Sequence, residues 1–129
     1  MYITQLSVFV ENKFGRLSEI LNELSKHNIN IRALSMADTS EFGILRMIVD
    51  DEQKASKVLK ESGVIVKTSP VISIALDDTP GCLAKIVEKL KNGGVSIEYT
   101  YAFLGREHNS AHVVLRVDNT EKAEEILKK

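Results

Sequence analysis

Two short loops hold the residues of this sequence best suited to binding a small molecule. The first reads Asn12-Lys13-Phe14-Gly15-Arg16-Leu17, and the second, sixty-six positions on, Asp78-Thr79-Pro80-Gly81-Cys82-Leu83. In each, an alternating apolar run ends, a glycine follows and an amphipathic run begins. The first amides of a helix have no partner within it and carry partial positive charge. They form a small anion site that suits a carboxylate. Beside them Asn12 can donate and accept, and Asp78 can accept from an ammonium group. Together these groups match the two ends of a free amino acid. A plainer reading fits the same residues: the glycines permit tight turns while Asn12 and Asp78 cap the helices. The residues alone leave both readings open.

No other constellation carries chemistry as well. Cys82 stands in a first helical turn, where the dipole lowers a thiol pKa, yet no basic residue adjoins it, and an inert thiol is expected. A single cysteine also makes no internal disulfide. His108 and His112 are four apart across a turn-to-strand boundary, His27 is remote, and no further cysteine completes a zinc set. The Lys91-Asn92-Gly93-Gly94 stretch lacks the GKS or GKT of a phosphate loop and reads as a helix stop. Tyr99, Tyr101 and Phe103 alternate with period two after Val95 and Ile97 and are expected in a core. Without a nucleophile–base pair, metal set or cofactor loop, neither an enzyme nor a cofactor is expected.

Composition narrows the class. With 43% hydrophobic and 27% charged residues, the chain is a globular protein rather than a disordered one. Net charge is −1 with both signs interspersed, so no basic stripe exists for nucleic acid. No apolar run approaches the roughly 20 residues that span a bilayer, and the N-terminus reads as a strand rather than a signal peptide. A cytoplasmic protein is expected.

The elements that position the two loops repeat. Leu6, Val8 and Val10 alternate in a first strand; Leu17, Ile20, Leu21 and Leu24 recur at helical spacing to about His27-Asn28. Strands follow with Ile29, Ile31 and Ala33 on one face, then with Leu45, Met47 and Val49. A helix from about Asp51 to Ser62 ends at Gly63, a C-terminal cap position. "VIVKT" is a short fourth strand. The second half repeats the order with Ile72, Ile74 and Leu76; Leu83, Ile86, Val87 and Leu90; Val113, Leu115 and Val117; and a last helix bearing Ala123, Ile126 and Leu127. The pairs Leu17/Leu83, Ile20/Ile86, Leu24/Leu90 and Ile31/Ile97 keep one offset. Val49/Val117 and Ala55/Ala123 are shifted by two more, which places a longer turn in the second hairpin.

The pattern predicts an α+β fold of two ferredoxin-like βαββαβ units, antiparallel sheets with helices on one face. The units cover 1–69 and 70–129. The second lacks its own last strand, and residues 64–68, joined to the next strand through a hairpin-length Ser69-Pro70, can be shared with it or swapped into it. The other sheet face, with Phe9, Leu34, Met36, Ile44 and Ile48, is more apolar than a solvated surface requires and is expected to be covered, as in a homodimer or larger assembly.

With the repeat in place, "VENKFGRLSEILNELSKHNINI" and "LDDTPGCLAKIVEKLKNGGVSI" both resemble the opening of an ACT domain: strand, Asn/Asp-x-Pro-Gly loop, Leu two after the glycine, helix, and a Gly/Asn-Val/Ile-Asn/Ser-Ile strand start. The resemblance covers nearly the whole chain and is closest to stand-alone tandem ACT proteins. It implies a non-catalytic regulatory module that senses a small molecule, most often an amino acid, at interfaces between ACT units. By similarity to the serine-sensing module of phosphoglycerate dehydrogenase, ligand contacts fall on the loops, Asn12 and Phe14 to Leu17 in one half and Asp78 to Leu83 in the other. They fall also on the second-strand starts, Asn30 and Ser96, so that Asn12 would face Ser96 and Asp78 would face Asn30. A loop histidine of that module is replaced by Val10 and Leu76, and its proline, kept as Pro80, by Phe14. "VENKFGRL" is also similar to the small subunit of acetolactate synthase. This implies an alternative in which the chain is a regulatory subunit acting through contact with a biosynthetic enzyme.

Overall fold

In the computed structural model, which describes residues 2–11, 13–38, 42–104 and 110–128, the chain forms six strands and four helices. In order they are β1 (Tyr2–Glu11), α1 (Arg16–Lys26), β2 (Ile31–Asp38), β3 (Phe42–Val49), α2 (Glu52–Glu61), β4 (Val66–Asp77), α3 (Cys82–Asn92), β5 (Ile97–Leu104), β6 (Ser110–Val117) and α4 (Thr120–Lys128). Residues 105–109 of the polar turn expected at 105–110, and the loop residue Asn12, lie outside the described residues; Ser110 begins β6. Among the described residues no helix is long and apolar enough to cross a membrane.

Packing divides the chain into Thr4–Ser69 on one side and Pro70–Lys129 with Met1–Ile3 on the other. In the first unit the strand order is β2-β3-β1-β4, with β1 and β3 antiparallel and Leu6 opposite Met47. Its core is the helix-facing side of these strands, Leu6, Val8, Leu45 and Met47, closed by Ile20 and Leu24 of α1 and Ala55 and Leu59 of α2. In the second unit β4, β6 and β5 are neighbours, with Ile72 opposite Leu115. Ile72, Leu76, Val113 and Leu115 form its core with Leu90 of α3 and Ala123 of α4. The period-two and helical patterns of the sequence thus become two ferredoxin-like layers, each sealed by one helix pair.

Three helices stop by the same device. Ile29, Val64 and Val95 donate their N–H groups back to the carbonyls of Leu24, Leu59 and Leu90 at 3.0, 3.0 and 2.9 Å. The residue before each, Asn28, Gly63 or Gly94, has positive φ. This is the Schellman arrangement, in which the apolar residue after the cap folds back onto the last turn and orphan carbonyls are satisfied.

Two details correct the sequence reading. No hairpin forms at Ser69-Pro70: both residues belong to the 12-residue β4, and the Pro70 carbonyl accepts from Arg116 Nη1 at 2.7 Å. Second, both edge strands carry a bulge. Register shifts between Ile31 and Ala33 in β2, and between Ile97 and Tyr99 in β5, leave Arg32 and Glu98 as extra residues. One inserted residue turns every later side chain to the opposite face. Ile31 and Ile97 still pack on the helix-side cores. Beyond the bulge, however, Leu34 and Met36 pair with Met47 and Leu45 on the helix side, where at the sheet edge they remain 49% and 43% exposed. The far face therefore holds Ala33, Ser35 and Ala37 beside Ile48, Arg46 and Ile44, and is less apolar than expected. In the second unit Tyr99, Tyr101 and Phe103 leave the expected core for the far face, paired with Arg116, Val114 and His112. There Phe103 stacks on His112 with ring centroids 5.0 Å apart.

Helix packing in the second unit rests on a small residue. A Cβ at Gly93 would collide with the Ile126 side chain. Gly93→Val is expected to cost about 1–3 kcal/mol by overpacking, measured as urea unfolding of the full chain, with Ile126→Ala restoring part of the loss.

Candidate functional site

The two loops match bond for bond. Where β1 and β4 end, Lys13 N–H donates to the Glu11 carbonyl and Thr79 N–H to the Asp77 carbonyl, both at 2.8 Å. Arg16 N–H then donates to the Lys13 carbonyl at 3.1 Å and Cys82 N–H to the Thr79 carbonyl at 3.3 Å. The second pair of bonds closes a four-residue turn whose third residue is the glycine, with φ 80°, ψ −3° at Gly15 and φ 85°, ψ −6° at Gly81. Those are type II turn values, which require positive φ at the third position and favour proline at the second. Pro80 occupies that second position; Phe14, which protrudes fully into solvent, occupies it in the first loop. Glycine is demanded here by φ and not by crowding, because a Cβ at either glycine would meet nothing within 4 Å.

The same glycines are the helix N-caps, and lacking a side chain they cap no amide. The first helical carbonyl bonds come from Glu19 N–H to Gly15 (3.0 Å) and Lys85 N–H to Gly81 (3.1 Å). Side-chain capping is used elsewhere: Asp51 accepts from Lys54 N–H at the start of α2 and Asn119 from Lys122 N–H before α4, both at 3.0 Å. The two candidate loops are thus the helix starts at which the cap residue itself contributes no acceptor.

The loops differ in charge. In the first, Lys13 Nζ pairs with Glu11 (2.8 Å) and Arg16 Nη1 with Glu19 (2.9 Å), so its cations are held by its own carboxylates. The Lys13 hydrogen bond, reinforced by the Lys13 charge and more weakly by Arg16, lowers the Glu11 carboxyl below its ordinary value. In the second, Asp78 is exposed and has no ion pair or side-chain hydrogen bond among the described residues. Thr79, Pro80 and Gly81 are exposed as well, and Leu17 and Leu83 keep 37% and 40% of their surface. Cys82 is half-buried against the second core and free. Among the described residues no group of three or more His, Cys, Asp or Glu side chains is placed to hold a metal; His108 lies outside them.

Asn30 and Ser96 are exposed at the other end of their units. An 11-residue helix, about 16 Å long, separates Gly15 from Asn30 and Gly81 from Ser96. One unit by itself does not bring its loop and its second-strand start together. Each start is instead clamped locally. Asn30 N–H donates to Asp50 Oδ1 (3.1 Å) while Asp50 N–H donates to the Asn30 carbonyl (3.1 Å). Ser96 and Asp118 make the same pair at 3.0 and 3.1 Å. Sequence reasoning missed both aspartates, although each directly follows the hairpin's second strand and the residue type is kept in both halves.

The turn geometry sets an expectation for Phe14. With Pro80 as template, Phe14→Pro should stabilise the chain by about 0.4–1 kcal/mol, mainly by restricting the unfolded state. Equilibrium denaturation checks this; destabilisation would mean that the two turns differ at their second position.

Comparison with known proteins agrees with this architecture. The family model described as an ACT domain pair matches residues 1–129. The crystal structure of protein BT0572 from Bacteroides thetaiotaomicron is 46% identical, with a TM-score of 0.93 over 99% of this chain and 88% of that one. Regulatory subunits of aspartate kinase from Thermus thermophilus, in a ligand-free form, and from Thermus flavus share the fold at 16% identity. Their TM-scores are 0.72 and 0.69, covering 97% and 99% of this chain and 88% and 92% of theirs. A search of curated proteins returned no significant match. A duplicated strand–type II turn–helix opening, two ferredoxin-like layers and a family match from end to end make this chain a member of the ACT domain pair family.

Proposed function

We propose that this ACT pair is a non-catalytic regulatory module that binds a free amino acid at the loop Asp78–Leu83. The observation that carries the reading is an unpaired carboxylate, Asp78, beside an uncapped helix start in an exposed loop. The ligand's carboxylate meets the first-turn amides of α3 that the turn does not use, those of Leu83 and Ala84, and its ammonium meets Asp78. The loop Asn12–Leu17 offers the same turn with its charges already satisfied by Glu11 and Glu19, and is the weaker of the two. Because Asn30 and Ser96 stand a helix length from their own loops, the ligand's remaining contacts come from another ACT unit, as in a homodimer of this chain.

A second reading is favoured by the structural likeness to proteins named as aspartate kinase regulatory subunits. In it the chain acts through contact with a biosynthetic enzyme. A thermal-shift screen of the purified chain against the twenty amino acids and their precursors separates the two. A ligand at 100 times its dissociation constant stabilises by about 2.7 kcal/mol if it binds only the native state. Removing a charge-assisted hydrogen bond costs about 1.5–3 kcal/mol, so Asp78→Ala should weaken a selective hit roughly tenfold or more while its ligand-free unfolding stays unchanged. No hit from any compound, together with co-purification of a large catalytic partner, would replace the first reading with the second.

A further inference from the structure

The first unit carries a groove of about 600 Å³ between the outer face of α2 and the ends of β1 and β4. Its strand side changes character along the chain. Leu6 and Val66 are buried in the core, but two residues further out the same strands present Thr4 and Thr68, both exposed. Its helix side includes a row of donors. Gln53, Lys57 and Lys60 recur at i, i+4 and i+7, which sets them above one another on one face. Among the described residues neither ammonium of that row has an ion pair or hydrogen bond, although Glu52 and Glu61, the first and last residues of α2, also line the groove.

The repeat supplies an internal control. The positions of α4 that correspond to Gln53, Lys57 and Lys60 are Glu121, Glu125 and Lys128, and Lys128 is already paired with Glu124 at 3.0 Å. The fold therefore builds the same helix with an acidic face as readily as with this one. The donor row on α2 is not a requirement of packing.

We propose that this groove is a second small-molecule site, selective for a compact doubly charged oxyanion of the phosphate or dicarboxylate type. Two ammonium groups one turn apart supply the charge, and the threonine hydroxyls and the Gln53 amide supply directional donors to further oxygens. The site is independent of the loop at Asp78 and uses none of its residues.

The test titrates inorganic phosphate, pyrophosphate and succinate into the full chain at low ionic strength and follows backbone and threonine methyl resonances. Saturable shifts centred on Gln53, Lys57, Lys60, Thr4 and Thr68 are expected for at least one of the three; which one responds names the anion. In Lys57→Gln/Lys60→Gln the affinity should fall at least tenfold with unchanged unfolding, whereas Lys128→Gln should leave it unaltered. Equal shifts with sodium chloride at matched ionic strength would show screening only and overturn the proposal. So would saturable binding that survives the double variant, or no shift from any of the three anions. Because Asp78→Ala leaves this groove intact, its failure and that of the loop reading are separable.

Discussion

The architecture depends on a change of direction made within four residues: a strand must become a helix that lies back over the strand it left. A type II turn with glycine at its third position does this at both Gly15 and Gly81. L-residues with a Cβ reach that backbone conformation only at a cost of about 1–2 kcal/mol. Once the turn is set, the helix path is set too, so Ile20 and Leu24 or Ile86 and Leu90 fall on the sheet core. The same geometry has a chemical result. The first helical amide, Arg16 or Cys82, closes the turn, and a cap residue without a side chain leaves the two amides that follow it, Leu17 and Ser18 or Leu83 and Ala84, with no side-chain acceptor from the cap.

Duplication lets structure and function be told apart. Features kept in both halves are those the fold needs: the turn, the Schellman stops, the edge bulges, and the clamps of Asp50 on Asn30 and Asp118 on Ser96. What differs is free to specialise. The first loop neutralises its own cations with Glu11 and Glu19, while the second leaves Asp78 open. The face of α2 is rich in donors where that of α4 is rich in carboxylates. Two units of one shape can therefore present chemically unlike surfaces.

Element identity was legible in the sequence because burial imposes it. Leu17, Ile20 and Leu24 can share one face only in a helix, and Leu6, Val8 and Val10 only in a strand. The candidate loops were legible because glycine and proline occupy the positions the turn demands. The sides taken by Leu34, Met36, Tyr99 and Tyr101 were not. A bulge inserts one residue without altering the local alternation, and nothing in Arg32 or Glu98 marks it. Pro70 misled for a related reason: proline punctuates most strands, but a side-chain donor from Arg116, remote in sequence, accompanies it inside β4. The aspartate clamps escaped because an aspartate after a strand reads as an ordinary turn residue until its partner, 20 positions back for Asp50 and 22 for Asp118, is known.

The claim that the Gly81 turn presents the α3 amides to a carboxylate is tested most directly by amide resonance mapping of the full chain with its strongest amino-acid ligand. The account predicts that the largest saturable shifts fall on Gly81, Leu83 and Ala84, with Asp78 moving alongside them. Saturable binding whose shifts avoid these residues would contradict it, and would leave the turn as architecture alone.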